Sequence, residues 1–286
     1  MKIMITGARG NFASALIAPL IAEGHELVLF DLEPMNPPDE CVAVQADIRD
    51  GAAVSHAMQG CDAVIHSVAY HNYSREFRNY DDFYTVNVTG THHILRSMRL
   101  HGVKALIYSS SDVVYGEGMR GRLVMDETVP CIPSNIFGMT KIMSEDMCRF
   151  YARKHHFNIA ILRYGSFEPA DWKHEGMARL DHGIDRRDVA QANILALGCA
   201  LAEEIRCETY LIHCAKPFVD SDWPELEIDP ETVVERYYPG AAELLAAHGL
   251  TVPHVHHRYD ITKAATELGY EPQHNFDQFL AELREK

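Results

Sequence analysis

Thr6-Gly7-Ala8-Arg9-Gly10-Asn11-Phe12-Ala13 follows directly on an apolar run, Lys2 to Ile5, and leads into a stretch of helical character. A second apolar run, Glu26-Leu27-Val28-Leu29-Phe30, then stops at Asp31. Strand, tight turn, helix, strand and terminal acid, in that order, are the parts of a dinucleotide-binding βαβ unit. Gly7 lets the chain turn sharply, and Gly10 omits a Cβ so that backbone N–H groups can approach a pyrophosphate. The start of the helix adds its partial positive charge at the same spot. Gly7, Arg9, Gly10, Asn11 and Phe12 are therefore expected around the phosphates. Ala13 is small enough to let the helix pack close to the strand. Asp31 is expected to accept hydrogen bonds from an adenine-ribose diol and to repel a 2′-phosphate, which selects NAD over its phosphorylated relative.

The rest of the composition sets bounds. A chain of 286 residues can bury one large α/β core, or a core with a small appended lobe. No apolar run is long enough to cross a bilayer. The N-terminus enters its first strand without a basic segment, apolar stretch and cleavage site before it, so a cytoplasmic protein is expected. Seven scattered cysteines without a Cys-x-x-Cys pair fit free thiols better than a disulfide frame or a zinc site. A net charge of −15 speaks against nucleic acid as a partner.

Taken in order, Pro19 falls inside the first helix and is expected to kink it without breaking it. Cys41–Gln45 reads as a third strand, closing on Ala46-Asp47-Ile48. Asp47 either holds an adenine amino group or caps the helix that follows. The fourth strand ends at His66 and gives way to Ser67-Val68-Ala69, small residues against which a cofactor can lie. Tyr70-His71-Asn72-Tyr73 then offers either a substrate wall or a solvated loop. One long helix is expected from about Asn79 to Leu100, with Asn87 inside it in a structural or a catalytic role. The fifth strand, Val103–Tyr108, leads into Ser109-Ser110-Ser111-Asp112, where a hydroxyl can steady a substrate oxygen. A helix over about 135–155 carries Phe137 and Lys141 on one face. The sixth strand, Asn158–Arg163, ends at Tyr164-Gly165-Ser166-Phe167-Glu168-Pro169.

These stretches together resemble the extended short-chain dehydrogenase/reductases, the NAD-dependent epimerase/dehydratase group. The resemblance runs over Thr6–Ala13, Asp31, Asp47-Ile48, His66–Ala69, Asn87–Thr91, Ser109–Gly116, Lys141, Arg163–Pro169 and Asp260…Pro272. The length and the Arg163–Pro169 pattern look most like the uronate dehydrogenase branch. The resemblance implies a Rossmann-like doubly wound parallel sheet with a small C-terminal substrate lobe. It implies NAD as cofactor, Ser111 steadying the reacting oxygen, and Lys141 holding the nicotinamide ribose. Asp31, Asp47, Ile48, Ser67, Val68, Ala69, Asn87 and Tyr164 join the cofactor set, and Tyr70, His71, Ser111, Asp112, Ser166 and Arg179 the substrate set. A homodimer through the helices near 80–100 and 135–155 is implied as well.

One position departs from the pattern. The family carries a tyrosine four residues before the lysine, and here that position is Phe137. A phenyl ring keeps the packing and has no ionisable proton, so loss of a general base worth roughly 10² to 10⁴ in rate is at issue. Three readings stay open: an engineered Tyr→Phe form, a proton supplied by Tyr164, Tyr70 or His71, or a dinucleotide-binding regulatory or scaffold protein without a redox step. The expected core covers about 1–165 and 185–215, and the lobe about 166–184 and 216–260. Within the lobe Arg179 either grips a substrate carboxylate or pairs with Asp181, Asp185 or Asp188. Trp223 either stacks on a sugar or anchors the lobe. His174 and His182 read as solvated more readily than as substrate contacts. His254-Val-His256 lacks a third ligand, and no metal is expected.

Overall fold

The computed structural model describes residues 1–71, 80–167 and 171–286. Its centre is a seven-stranded parallel sheet: β1 Lys2–Thr6, β2 Glu26–Asp31, β3 Cys41–Gln45, β4 Ala63–His66, β5 Ala105–Ser111, β7 Asn158–Tyr164 and β8 Cys207–Ile212. Apolar runs such as Lys-Ile-Met-Ile-Thr and Ala-Val-Ile-His bury successive side chains on both faces, which suits a parallel sheet covered by helices on either side. The strand order is β3-β2-β1-β4-β5-β7-β8. The order reverses between β1 and β4, which pair from Ile3↔Ala63 to Thr6↔His66. A crevice at the carboxyl ends of those two strands follows from the topology, and it is where such sheets bind ligands.

Helices α1 (Ala13–Ala22) and α7 (Arg186–Leu201) cover one face, burying Leu16, Leu20, Val189 and Ala196 against Ile3, Ile5 and Leu29. Helices α2 (Gly51–Ala57), α4 (Gly90–His101) and α5 (Ile136–His155) cover the other, packing Val54, Ile94, Leu95 and Cys148 on Met4, Val28 and Val64. Helix α1 continues through Pro19 to Ala22, as expected. The long helix expected from about Asn79 to Leu100 is a continuous helical run from Tyr80 to His101 over the described part, with a π-helical turn (Tyr84–Thr89) set between α3 (Tyr80–Phe83) and α4. Hydrophobic spacing does not separate a 3.6-residue period from a local widening to the i→i+5 pattern.

Past α5 and β7 the chain adds α6 (Trp172–Ala178), and after β8 it adds α8 (Trp223–Ile228), α9 (Pro230–Tyr237) and α10 (Ala241–Ala247). A short pair, β6 (Val124–Met125) with β9 (Arg258–Tyr259), ties this part to the loop after β5. Helix α11 (Thr262–Leu268) returns to the main sheet, and α12 (Phe276–Arg284) brings Phe276, Phe279, Leu280 and Leu283 into the lobe's own apolar centre. Trp223 lies in that centre and is 3% exposed, so it anchors the lobe and does not meet a ligand. All seven cysteines are free. Among the described residues no helix is long and apolar enough to cross a membrane.

Candidate active site

A cleft of about 810 Å³ opens at the carboxyl ends of β1, β4 and β5. Its phosphate end is the turn between β1 and α1. Gly7 has φ +68°, and a Cβ there would lie 3.0 Å from Ser67 Oγ and 3.1 Å from the Val68 amide. A Cβ on Gly10 would stand 2.9 Å from the Gly7 carbonyl oxygen. Phe12, the N-cap of α1, offers no side-chain cap, so the first-turn N–H groups keep their donors for an anion. These are the features a pyrophosphate needs, and the residues present fit a dinucleotide. Phe12 itself packs on Tyr164 and Phe167, with ring centroids 5.6 and 5.5 Å away.

Beyond the turn, Asp31 ends β2 with its carboxylate fixed: Oδ2 accepts from the Arg9 N–H and Oδ1 from the Glu33 N–H, both at 3.0 Å. The Arg9 side chain leans away to Glu33, 3.9 Å off, so Arg9 serves the site through its backbone. Asp47 and Ile48 line the cleft, as do Ser67, Val68 and Ala69. Asp47 is gripped by Arg49, whose Nε lies 3.0 and 2.9 Å from its two oxygens, and that hydrogen bonding holds its carboxyl below the usual range. The capping role weighed for Asp47 falls to Asp50, whose Oδ1 accepts from the Ala52 and Ala53 N–H groups. Asn87 does not reach the cleft. Its buried amide accepts from the Tyr70 N–H at 2.8 Å and donates to the Tyr70 carbonyl at 3.0 Å and Thr140 Oγ1 at 2.9 Å. It therefore clamps the segment after β4 at Tyr70 to α5, a structural role in place of the cofactor contact expected.

At the reacting end, Lys141 is 3% exposed and donates from Nζ to the Ser109 carbonyl at 2.7 Å. Burial pushes its ammonium down to about 8, against the pull of Glu145 one turn further along α5. The Lys141 ammonium stands 5.5 Å from the centre of the Phe137 ring, and His71 meets that ring edge-on at 6.4 Å. Burial first and the Lys141 charge second hold the His71 imidazole below its ordinary pKa, so it is neutral at pH 7. Ser111, Asp112, Tyr70 and Ser166 share the cleft with them.

Two other expectations are corrected. Tyr164 reaches the cleft wall, but its hydroxyl is buried, accepting from Asn193 Nδ2 at 2.9 Å and lying 3.5 Å from Ser109 Oγ. Burial drives that phenol well above its ordinary pKa, so it is no stand-in base. Arg179 is 5% exposed and spends Nη2 on Asp185 Oδ2 at 2.7 Å, the ion-pair alternative, so it does not face the substrate space. Glu168, Asn72 and Tyr73 lie outside the described residues.

The sequence reading missed Glu145. It is fully buried in α5 and accepts from Ser110 Oγ at 2.6 Å, from Arg163 Nε and Nη2 at 3.0 and 2.7 Å, and from Arg149 Nη2 at 2.6 Å. This network fixes the end of β5 directly under the reacting groups. An acid four residues after Lys141 was the available signal, and it looks like an ordinary helix-surface pair. His182 lines the cleft and is exposed, as expected of a loop histidine.

The fold and this cleft define a dinucleotide-binding protein of the doubly wound class. Comparison sharpens that: a model of the NAD dependent epimerase/dehydratase family matches residues 3–198, and the chain belongs to that family, whose cofactor is NAD. A uronate dehydrogenase of Pseudomonas putida is 30% identical over 171 residues, 59% of this chain and 62% of that protein. A UDP-glucose 4-epimerase of Halalkalibacterium halodurans is 28% identical over 203 residues, covering 69% and 60% of the two chains. The match thus spans about three fifths of each of these relatives. Among solved structures, a short-chain dehydrogenase/reductase superfamily protein from Agrobacterium tumefaciens with bound NAD superposes with a TM-score of 0.75 at 21% identity, covering 100% of this chain and 97% of that one.

Proposed function

We propose that the protein is an NAD-dependent oxidoreductase or epimerase acting on a hydroxyl of a sugar or sugar acid, with His71 in the role the family gives to tyrosine. The observation that carries this reading is the placement of the His71 imidazole 6.4 Å from the Phe137 ring, which the Lys141 ammonium also faces at 5.5 Å, in the same cleft as Ser111. Bound NAD would supply a hydride acceptor for the carbon that bears the hydroxyl. The protein's own part is to orient and deprotonate. Ser111 steadies the substrate oxygen, and Asp112 and Tyr70 shape the space around it. His71 takes the hydroxyl proton as the carbonyl forms, becoming imidazolium, and returns it when the reaction runs back. Lys141 holds the nicotinamide ribose, its ammonium fixed by the Ser109 carbonyl. Asp31 takes the adenine-ribose diol through oxygens that the Arg9 and Glu33 amides already orient.

The test is turnover on a panel of aldoses and uronates with NAD, beside calorimetry of NAD and its 2′-phosphorylated analogue. NAD reduction with at least one substrate class and tighter binding of the unphosphorylated cofactor are expected. NAD binding without turnover of any panel member favours a dinucleotide-binding regulatory protein.

We also propose a homodimer. Leu100 on α4 and Phe150 on α5 are 52% and 53% exposed on the helices that the family resemblance assigns to an interface. Light scattering is expected to give twice the chain mass, and Phe150→Glu to give the single chain. A single chain for the parent protein refutes it.

A further inference from the structure

The parallel register carries the ends of β5, β7 and β8 to one line: Ser111 pairs with Tyr164, and Tyr164 with Ile212. The residues one step further on, Asp112, Gly165 and His213, therefore form a row across the carboxyl edge of the sheet. Asp112 and Gly165 line the cleft, and His213 stands behind them. The middle position has no side chain, and the outer two meet across it, with His213 Nε2 lying 3.4 Å from Asp112 Oδ2. A Cβ on Gly165 would stand 2.5 Å from His213 Cε1 and 2.7 Å from its Nδ1, so only glycine leaves room for the ring. The face of the imidazole is fixed by Tyr259, stacked on it at 3.6 Å with 8° between the planes. His213 is closed to solvent, and among the described residues neither of its ring nitrogens has a well-formed hydrogen bond. A buried imidazole of this kind calls for an explanation.

We infer that His213 is a positioning residue: through Nε2 it holds the Asp112 carboxylate back from Ser111, which leaves the Ser111 hydroxyl free for the substrate oxygen. This rests on the proposed reaction, in which Ser111 steadies that oxygen. Asp112 has one oxygen for each neighbour. Oδ2 faces His213, and Oδ1 lies 3.4 Å from Ser111 Oγ, too far to hold the hydroxyl firmly. Ser111 Oγ accepts from the Val113 N–H at 3.4 Å, so its own proton remains to be given. A carboxylate this close captures that proton unless another donor holds it, and His213 is that donor. Contacts of this length tighten when the reacting complex forms. The order of the groups matters too. The carboxylate stands between hydroxyl and imidazole, so His213 cannot take the Ser111 proton, and the arrangement is not a nucleophile with its base.

The ring acts as a neutral donor. Burial holds its imidazole below the ordinary pKa; the Asp112 hydrogen bond and charge oppose this, and the Lys216 and His182 charges add to it. One proton therefore stays on the ring at pH 7, and the surroundings choose its place. An N–H at Nδ1 would be buried against Gly165 without an acceptor, whereas an N–H at Nε2 faces a carboxylate. The Nε2–H tautomer follows. The Tyr270 hydroxyl donates to the His213 carbonyl at 3.1 Å and fixes the backbone from which the ring projects.

The experiment has a spectroscopic and a kinetic arm, both on the NAD-loaded full chain. Nitrogen NMR of isotope-labelled histidine, with the signal assigned by its loss in His213→Gln, is expected to show a neutral Nε2–H ring at pH 7 whose Nε2 signal shifts in Asp112→Ala. An Nδ1–H ring, or a signal indifferent to Asp112, overturns the inference. In the kinetic arm, His213→Phe keeps a ring for Tyr259 and loses the donor. There kcat and kcat/KM are expected to fall together, about tenfold or more, with KM nearly unchanged. His213→Gln loses the ring and keeps an N–H near the place of Nε2, and it is expected to recover most of that loss. In Asp112→Ala, which has a lower baseline of its own, adding His213→Phe is expected to cost nothing further. The reverse order, with Phe active and Gln not, makes the ring a packing element and overturns the inference, as does a full further loss in the Asp112→Ala background. Absence of turnover on every substrate sinks the proposed reaction, and the nitrogen signal then decides the role of His213 by itself.

Discussion

His71→Asn lowers kcat by a factor of roughly 10² to 10⁴ while leaving NAD affinity within about twofold, and adding Phe137→Tyr restores most of the loss. The first half follows from position. His71 is the imidazole next to Phe137, and its pKa is held below the ordinary 6.5 by burial and by Lys141. Asparagine keeps a polar side chain of similar reach and cannot take a proton in this pH range. The second half follows from Lys141. Its ammonium lies 5.5 Å from the Phe137 ring centre, so a hydroxyl on that ring would sit in a field that favours its ionised form. A stopped-time assay of NAD reduction on the substrate found in the panel, with calorimetry of NAD, gives both numbers. The pH profile separates the two bases. In the parent, kcat/KM rises with pH through an apparent pKa below 6.5 and is flat beyond it, because the neutral imidazole is the working form. In the Phe137→Tyr double variant that limb moves to higher pH, since a phenol starts near 10 and must be brought down. A His71→Asn protein with parental kcat removes His71 from the chemistry.

What was legible in the chain, and what was not, follows the range of the forces involved. The Gly7–Gly10 turn, the uncapped start of α1 and the acid closing β2 are settled within about thirty residues, and the βαβ unit could be read from them. Phe137 and Lys141 were readable for the same reason, since four residues fix their common helix face. Asn87, Arg179, Tyr164 and Glu145 were not, because each is defined by a partner that sequence spacing does not reveal. Asn87 meets Tyr70 and Thr140, and Tyr164 meets Asn193. Arg179 had three nearby acids to choose from, and only the backbone path decides for Asp185. His182 is exposed, as a loop histidine is expected to be, and what spacing did not reveal is the Ser166–Gly183 bridge that sets its segment along the cleft. Asp47 and Asp50 show the same effect at short range: both can cap a helix, and the extended backbone at Asp50 selects it.

Glu145→Gln destabilises the fold by about 3 to 5 kcal/mol, the largest stability effect expected of any single side chain near the site. The carboxylate and the Arg163 guanidinium are both nearly inaccessible, at 0% and 4% of side-chain surface, and they meet through two hydrogen bonds. An amide can replace one accepting oxygen but turns an N–H₂ toward Arg163 or Ser110 and leaves the buried guanidinium uncompensated. Arg149→Gln is the control: that side chain is 31% exposed, so water takes up much of the loss and a cost of about 1 kcal/mol or less is expected. The pH dependence fixes the sign. Burial alone would raise the Glu145 pKa, but the Arg163 hydrogen bonds and charge bring it below its ordinary value. The pair's contribution is thus fully present above about pH 4.3, where the unfolded glutamate is ionised, and fades as pH falls toward the lowered folded value. Urea unfolding of parent and Glu145→Gln proteins should show the full gap at pH 7 and a narrower one at the acid end. The same change removes the charge that supports the Lys141 ammonium, so its pKa falls further below about 8 and NAD binding weakens at pH 7. A Glu145→Gln protein as stable as the parent at pH 7 would mean that Arg163 finds another anion or water, and that the floor of the site is held by packing alone.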